Sequence, residues 1–173
     1  MKPIRLPVRY SAVITDREYS LRAGMEGIDK FRQRASAVMA AAGAVEDVIV
    51  SILLSSILRE VKENRELVAA WVLNSDWCSF SAKRKLLLAS VKKFSLLGDD
   101  EAAQLDKGVG NVIRYRNAFA HGSIQYDGSQ YILRYFEGEP RVVVLDDSYW
   151  EALEKRINDA WDGLGKVQRA QPT

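Results

Sequence analysis

Apolar residues at Ile28, Phe31, Ala35, Val38, Ala42, Val45, Ile49 and Ile52 step by three and four, the period of one helix face. The spacing predicts a long amphipathic helix over 28–63, bent at Gly43. Its small residues over 35–44 let a neighbour approach closely, as a packing seam or, alternatively, as a cofactor groove. Ahead of it, residues 1–16 read as an extended arm, with Pro3, Pro7 and β-branched residues in place of helical period. Asp16 is placed to cap a short helix through Arg22, which Gly24 and Gly27 weaken. Residues 65–73 predict a short helix with Leu67, Val68, Trp71 and Val72 as its apolar side. Trp77 and Phe80 follow in a connection, where aromatics plug the end of a bundle or offer a base-stacking platform. Residues 82–97 form the next predicted helix, with Leu86, Leu87, Val91 and Phe94 inward.

Gly98-Asp99-Asp100-Glu101 ends that helix and starts another, with acids where a helix N-terminus favours negative charge. Leu105, Val109, Val112 and Phe119 mark its apolar seam, and the same stepping places Arg116 on the stripe. Gly122 then reads as a left-handed C′ residue. Beyond it the period changes to that of strands at 123–126, 130–136 and 141–145, joined by Asp127-Gly128 and Gly138-Glu139-Pro140. Ser148 to Glu151 has the spacing of a capping box. A final helix over 147–168 follows, seamed by Trp150, Leu153, Ile157, Ala160, Leu164 and Val167, with a fraying tail from Val167. The predicted fold class is mainly α: one domain over 1–173, a helical bundle with an antiparallel β meander (123–145) inserted before the C-terminal helix.

Composition adds modest limits. Hydrophobic content of 47% and charged content of 28% are ordinary for a soluble globular chain of 173 residues. The lone Cys78 cannot form an internal disulfide and suits a reducing compartment. No cationic start leads into an apolar signal core, and the apolar run 48–58 is too short to span a bilayer. These features predict a cytoplasmic protein with no membrane partner. A net charge of +2 is not that of a dedicated nucleic-acid binder. Residues 1–34 nevertheless carry eight Lys or Arg against four Asp or Glu. Lys83, Arg84, Lys85, Lys92 and Lys93 form an acid-free patch. Both stretches suit either a phosphate backbone or a solvated helix face.

The chain's chemistry concentrates in Arg114-Tyr115-Arg116-Asn117-Ala118-Phe119-Ala120-His121-Gly122, which holds the only histidine. His121 falls in the last helical turn, where the carbonyl end attracts cations. Asn117 and His121 are four apart and diverge by about 40°, whereas Arg116 projects about 140° from His121. A guanidinium on an apolar stripe breaks a local rule, and such breaks gather at functional sites. Glu46 and Asp47 interrupt the first helix, either as solvated residues or as a carboxylate partner for Arg116. Other chemistries lack their parts. One histidine and one cysteine, 43 positions apart, make no zinc set. No phosphate-cradling glycine loop and no nucleophile elbow is present.

Arg116-Asn117-Ala-Phe-Ala-His121 resembles the HEPN superfamily, whose motif is Arg, a polar residue, three further positions and His. The resemblance implies a HEPN-like bundle over 28–122 plus the last helix, with the β meander as an elaboration. It implies a metal-independent endoribonuclease without cofactor, of the kind found among toxins and defence effectors. Arg116, Asn117 and His121 are its expected catalytic residues, supported by Glu46 or Asp47, with Arg114, Lys83, Arg84 and Lys85 on RNA. The diverging motif residues would meet in a homodimer, since a two-fold interface presents each patch to its own copy. Its expected partners are RNA, a second copy, and an antitoxin or nucleotidyltransferase. Toxins silenced by nucleotidylation carry a tyrosine two residues after the histidine; here that residue is Ser123, which speaks against this mode. The competing class is a non-catalytic HEPN dimerisation or nucleotide-binding module, in which Arg116 pairs with Glu46 or Asp47.

Overall fold

The structure, a computed structural model, describes residues 18–57 and 64–171. The extended arm, the Asp16 cap and the end of the first helix near Glu63 lie outside the described residues. The elements are α1 (Glu18–Ile57), α2 (Arg65–Val68) running into a π-helical turn (Ala69–Leu73), α3 (Phe80–Lys93), α4 (Asp99–His121), β1 (Ser123–Tyr126), β2 (Tyr131–Glu137), β3 (Glu139–Val144) and α5 (Asp147–Ala170). The chain is mainly helical, with a small antiparallel sheet just before its last helix.

α1 runs as uninterrupted helix through Gly24, Gly27 and Gly43. Tertiary packing overrides the glycine penalty: Val38, Ala42, Val45, Ile49 and Ile52 are buried on the predicted face. At Gly27 the glycine makes room for a neighbour, because an added Cβ would lie 1.8 Å from the Tyr131 hydroxyl. Within Gly27–Ile57 an 18-residue window reaches mean hydropathy 2.0, so the stretch is long and apolar enough to cross a membrane by length and composition alone. It is longer than the run 48–58 because the alanines before it extend the apolar window. In the fold its seam packs against α3, α4 and α5.

α4 lies at the centre, touching α1, α3, α5 and β2. It packs antiparallel to α5, as Glu101 bonding Lys166 at one end and Arg156 bonding Tyr115 toward the other record. Small residues allow the approach: a Cβ on Gly108 would lie 3.1 Å from Ala160 Cα. Leu105, Val109 and Val112 join Ile49, Leu53, Leu87, Leu164 and Val167 in the main core. Val167 is fully buried and α5 continues to Ala170, so the expected fraying tail is instead an anchored helix end. Gln171 fastens it, its amide donating to the Ile52 carbonyl at 3.0 Å and to Ser56 Oγ at 2.7 Å while its carbonyl accepts from Ser55 Oγ.

The sheet order is β1-β2-β3, with Ile124 opposite Leu133 and Leu133 opposite Val143. Leu133 and Leu145 close a second core over Ala118 and Phe119 at the end of α4. α5 is capped by Asp146, whose carboxylate accepts from the Tyr149 amide at 2.8 Å; the Ser148–Glu151 box is displaced by this earlier acceptor.

Two expectations at the opposite end of the bundle are corrected. Of the two connection aromatics Phe80 is buried and closes that end of the core beside Leu73, whereas Trp77 is 70% exposed and plugs nothing; Leu67 and Trp71, expected on the apolar side of their helix, are 59% and 73% exposed. The π-helical turn shifts the register of 65–73 and leaves only Leu73 buried. On α3 the buried line is Phe80, Lys83, Leu87, Ser90 and Val91, which leaves Leu86 and Phe94 in solvent.

Candidate functional site

The motif occupies the last two turns of α4. Its core-facing positions are Tyr115 and Ala118, both buried, with Phe119 stacked on Trp150 at 5.6 Å between ring centres. A straight helix drifts from a strict four-three repeat, so Tyr115 takes the buried place that simple stepping assigned to Arg116. The Tyr115 hydroxyl accepts a hydrogen bond from Arg156 at 3.0 Å, and its ring meets Tyr149 edge-on. Tyr115 and Tyr149 pin this end of α4 to α5. Burial raises the Tyr149 phenol well above the usual tyrosine value, with the Tyr115 phenol adding to it.

Arg116 is half-buried, and its guanidinium donates to Asn117 Oδ1 at 3.1 Å. That bond turns a side chain rooted near the core toward the face that carries Asn117. His121 is exposed on the same face, one turn further on. Among the described residues neither imidazole nitrogen has a hydrogen-bond partner. The amide of Asn117 thus holds Arg116 alone, and His121 stands one turn beyond it without a bond to either. No carboxylate joins them: Glu46 pairs with Lys83 and Asp47 is exposed, so the expected acid partner of Arg116 is replaced by Asn117.

The basic patch is dispersed by the fold. Lys83 is 6% exposed and spent on Glu46. Arg84 donates to Asp106 at 2.6 Å and lies against Gly110, where the missing Cβ gives its guanidinium room. Lys85, Lys92 and Lys93 remain in solvent. Lys83 is thus buried in an ion pair, and Arg84, partly exposed, is held by Asp106. Arg114 is different: it is half-buried, without an ion pair among the described residues, and lines a groove of about 920 Å³ between α4 and α5. Sequence spacing did not single out Lys155 or Arg156, which reach the same groove from α5. The signal was present as an adjacent pair on the polar side of the last helix.

Asn117 and His121 belong with Ala103, Lys107, Gly110 and Arg114 to a solvent-facing stripe of α4. Ser123 begins β1 immediately beyond, paired opposite Arg134. Among the described residues no three His, Cys, Asp or Glu side chains cluster as a metal site. The arrangement offers one exposed imidazole, one guanidinium and one carboxamide at a helix end, a set suited to a phosphate diester.

The fold and site define a mainly α-helical protein with an appended meander and an open Arg-Asn-His constellation. No protein-family model matches the chain, and neither a curated protein nor a solved structure matches it.

Proposed function

We propose that this protein is a metal-independent endoribonuclease of the HEPN type that cuts RNA at a site shared by two copies. The observation that carries the reading is the Arg116–Asn117 hydrogen bond beside an exposed, unpartnered His121. In the reaction the substrate's own 2′-hydroxyl attacks phosphorus and the bond to the 5′-oxygen breaks. His121 takes the hydroxyl proton or gives one to the departing oxygen. Arg116 neutralises the added charge on the phosphorane, and Asn117 holds the guanidinium in place. The products end in 2′,3′-cyclic phosphate and 5′-hydroxyl. A toxin or defence effector held in check by an antitoxin is the setting this chemistry suits.

The test is digestion of an RNA and its matching DNA, since DNA lacks the nucleophile. Cutting of RNA alone with cyclic phosphate ends, lost in His121→Ala, supports the reading. Wild-type protein that never cuts RNA, with Arg116→Ala and Asn117→Ala destabilised, assigns the pair to a non-catalytic dimerisation or RNA-binding module.

A further inference from the structure

The α4–α5 groove is graded in charge along its length. At one end Glu101 bonds Lys166 at 2.7 Å, with Asp159 and Asp162 close by. Toward the other end the lining cations are Lys107, Arg114, Lys155 and Arg156, with Asn111 between them; Lys107 lies level with Asp159 and Asp162, since Gly108 meets Ala160, and the carboxylate-free part is that of Arg114, Lys155 and Arg156. Among the described residues none of these four cations is in an ion pair; Arg156 donates only to the Tyr115 hydroxyl. Lys107 and Lys155 are exposed. The antiparallel packing produces the grading, because it places Lys155 and Arg156 opposite the motif half of α4.

The cationic end points at His121. Lys107, Arg114 and His121 are seven residues apart in turn, which keeps them on one face with a drift of about 20° per step. From Lys107 to His121 is about 21 Å of helix, room for several nucleotides. We propose that this half of the groove binds the phosphates of single-stranded RNA and leads the strand to His121, with Lys107, Arg114, Lys155 and Arg156 as the contacts. This rests on the ribonuclease reading and names its substrate class. The groove lies between helices packed about 8–10 Å apart, too narrow to admit a duplex. Its lining lacks the apolar centre that a protein partner needs.

The probe is a single-stranded 2′-O-methyl oligonucleotide, which cannot be cut because its 2′-oxygen is blocked. Binding to the full chain is followed by fluorescence anisotropy across a salt series. Each lost phosphate contact should lower the slope of log affinity against log salt by about 0.7. Lys107→Glu with Lys155→Glu should weaken binding about tenfold or more near 100 mM salt. Lys92→Glu with Lys93→Glu on α3 should leave it unchanged. Circular dichroism confirms that each variant is folded. Binding by the Lys107/Lys155 variant equal to wild type overturns the groove, even if RNA is still cut. Groove-dependent binding by a protein that never cuts RNA sustains the groove while the ribonuclease reading falls. A poly-glutamate that binds as tightly through the same lysines makes this a surface for acidic polypeptides and overturns the RNA assignment.

Discussion

Gly122 has φ −86° and ψ 173°, extended backbone open to any residue. It is needed for space: an added Cβ would stand 2.2 Å from the Ala118 carbonyl oxygen and 2.8 Å from Leu133 Cδ1. Gly122→Ala should therefore push β1 off the end of α4 and cost about 1–3 kcal/mol in urea unfolding. An unchanged midpoint would contradict this. His121 one residue earlier behaves oppositely, because it is exposed and no hydrogen bond or ion pair among the described residues uses it. His121→Ala should leave stability within about 0.5 kcal/mol while lowering RNA cleavage about 10²-fold or more. Asp127 supplies the pH dependence. It accepts from the Ser129 and Gln130 backbone amides, which hold its carboxyl at about 2, below the ordinary 3.8. The folded value is the lower one, so the turn's stabilisation is complete above 3.8 and lost as pH falls through about 2. A carbon NMR titration with its midpoint at or above 3.8 would refute the assignment.

At the scale of elements, the helices with a sustained period were legible. The seam of α1 from Val38 to Ile52 and that of α5 from Leu153 to Val167 are buried as their spacing required. The meander was legible from its turns, with Gly128 and Gly138 both at positive φ. What the sequence hid has physical causes. Residues 65–73 looked helical and amphipathic, but a π turn rotates their apolar side into solvent. Lys83 looked solvated inside Lys-Arg-Lys, although its steps to Leu87 and Ser90 follow the buried line of α3. Arg116 was expected either on its own or with a carboxylate from α1, and its one bond goes to the adjacent Asn117, which no long-range spacing could reveal. The Lys83–Glu46 pair makes a stability prediction. Lys83→Ala leaves Glu46 half-buried and unpaired, at a cost of about 3 kcal/mol, the low end for a broken buried pair. Lys83→Met with Glu46→Leu should recover most of it. Equal loss in the single and double variants would show that packing, not charge, sets the effect.

For the whole molecule, the proposed site predicts self-association through the exposed stripe of α4. Sedimentation at micromolar concentration should show a dimer, and Ala103→Arg on that stripe should weaken it. A wild-type monomer that still cuts RNA would contradict the shared site. Cleavage should also survive excess EDTA, while loss of cutting that magnesium restores would remove the proposed chemistry.

The long reach of Gln171 back to Ile52, Ser55 and Ser56 has a consequence during synthesis. α1 is made before the helices that cover it, and the last part of its cover comes from α5, whose first residue is made 90 positions after Ile57. At ordinary elongation rates that gap lasts roughly 5–20 seconds. Throughout it the side of α1 that α5 will cover is left apolar and open. Such a segment is a natural client for holdase chaperones, and cells depleted of them should accumulate this chain as aggregate. The last helix thus acts as the clasp that ends the chain's dependence on its caretakers.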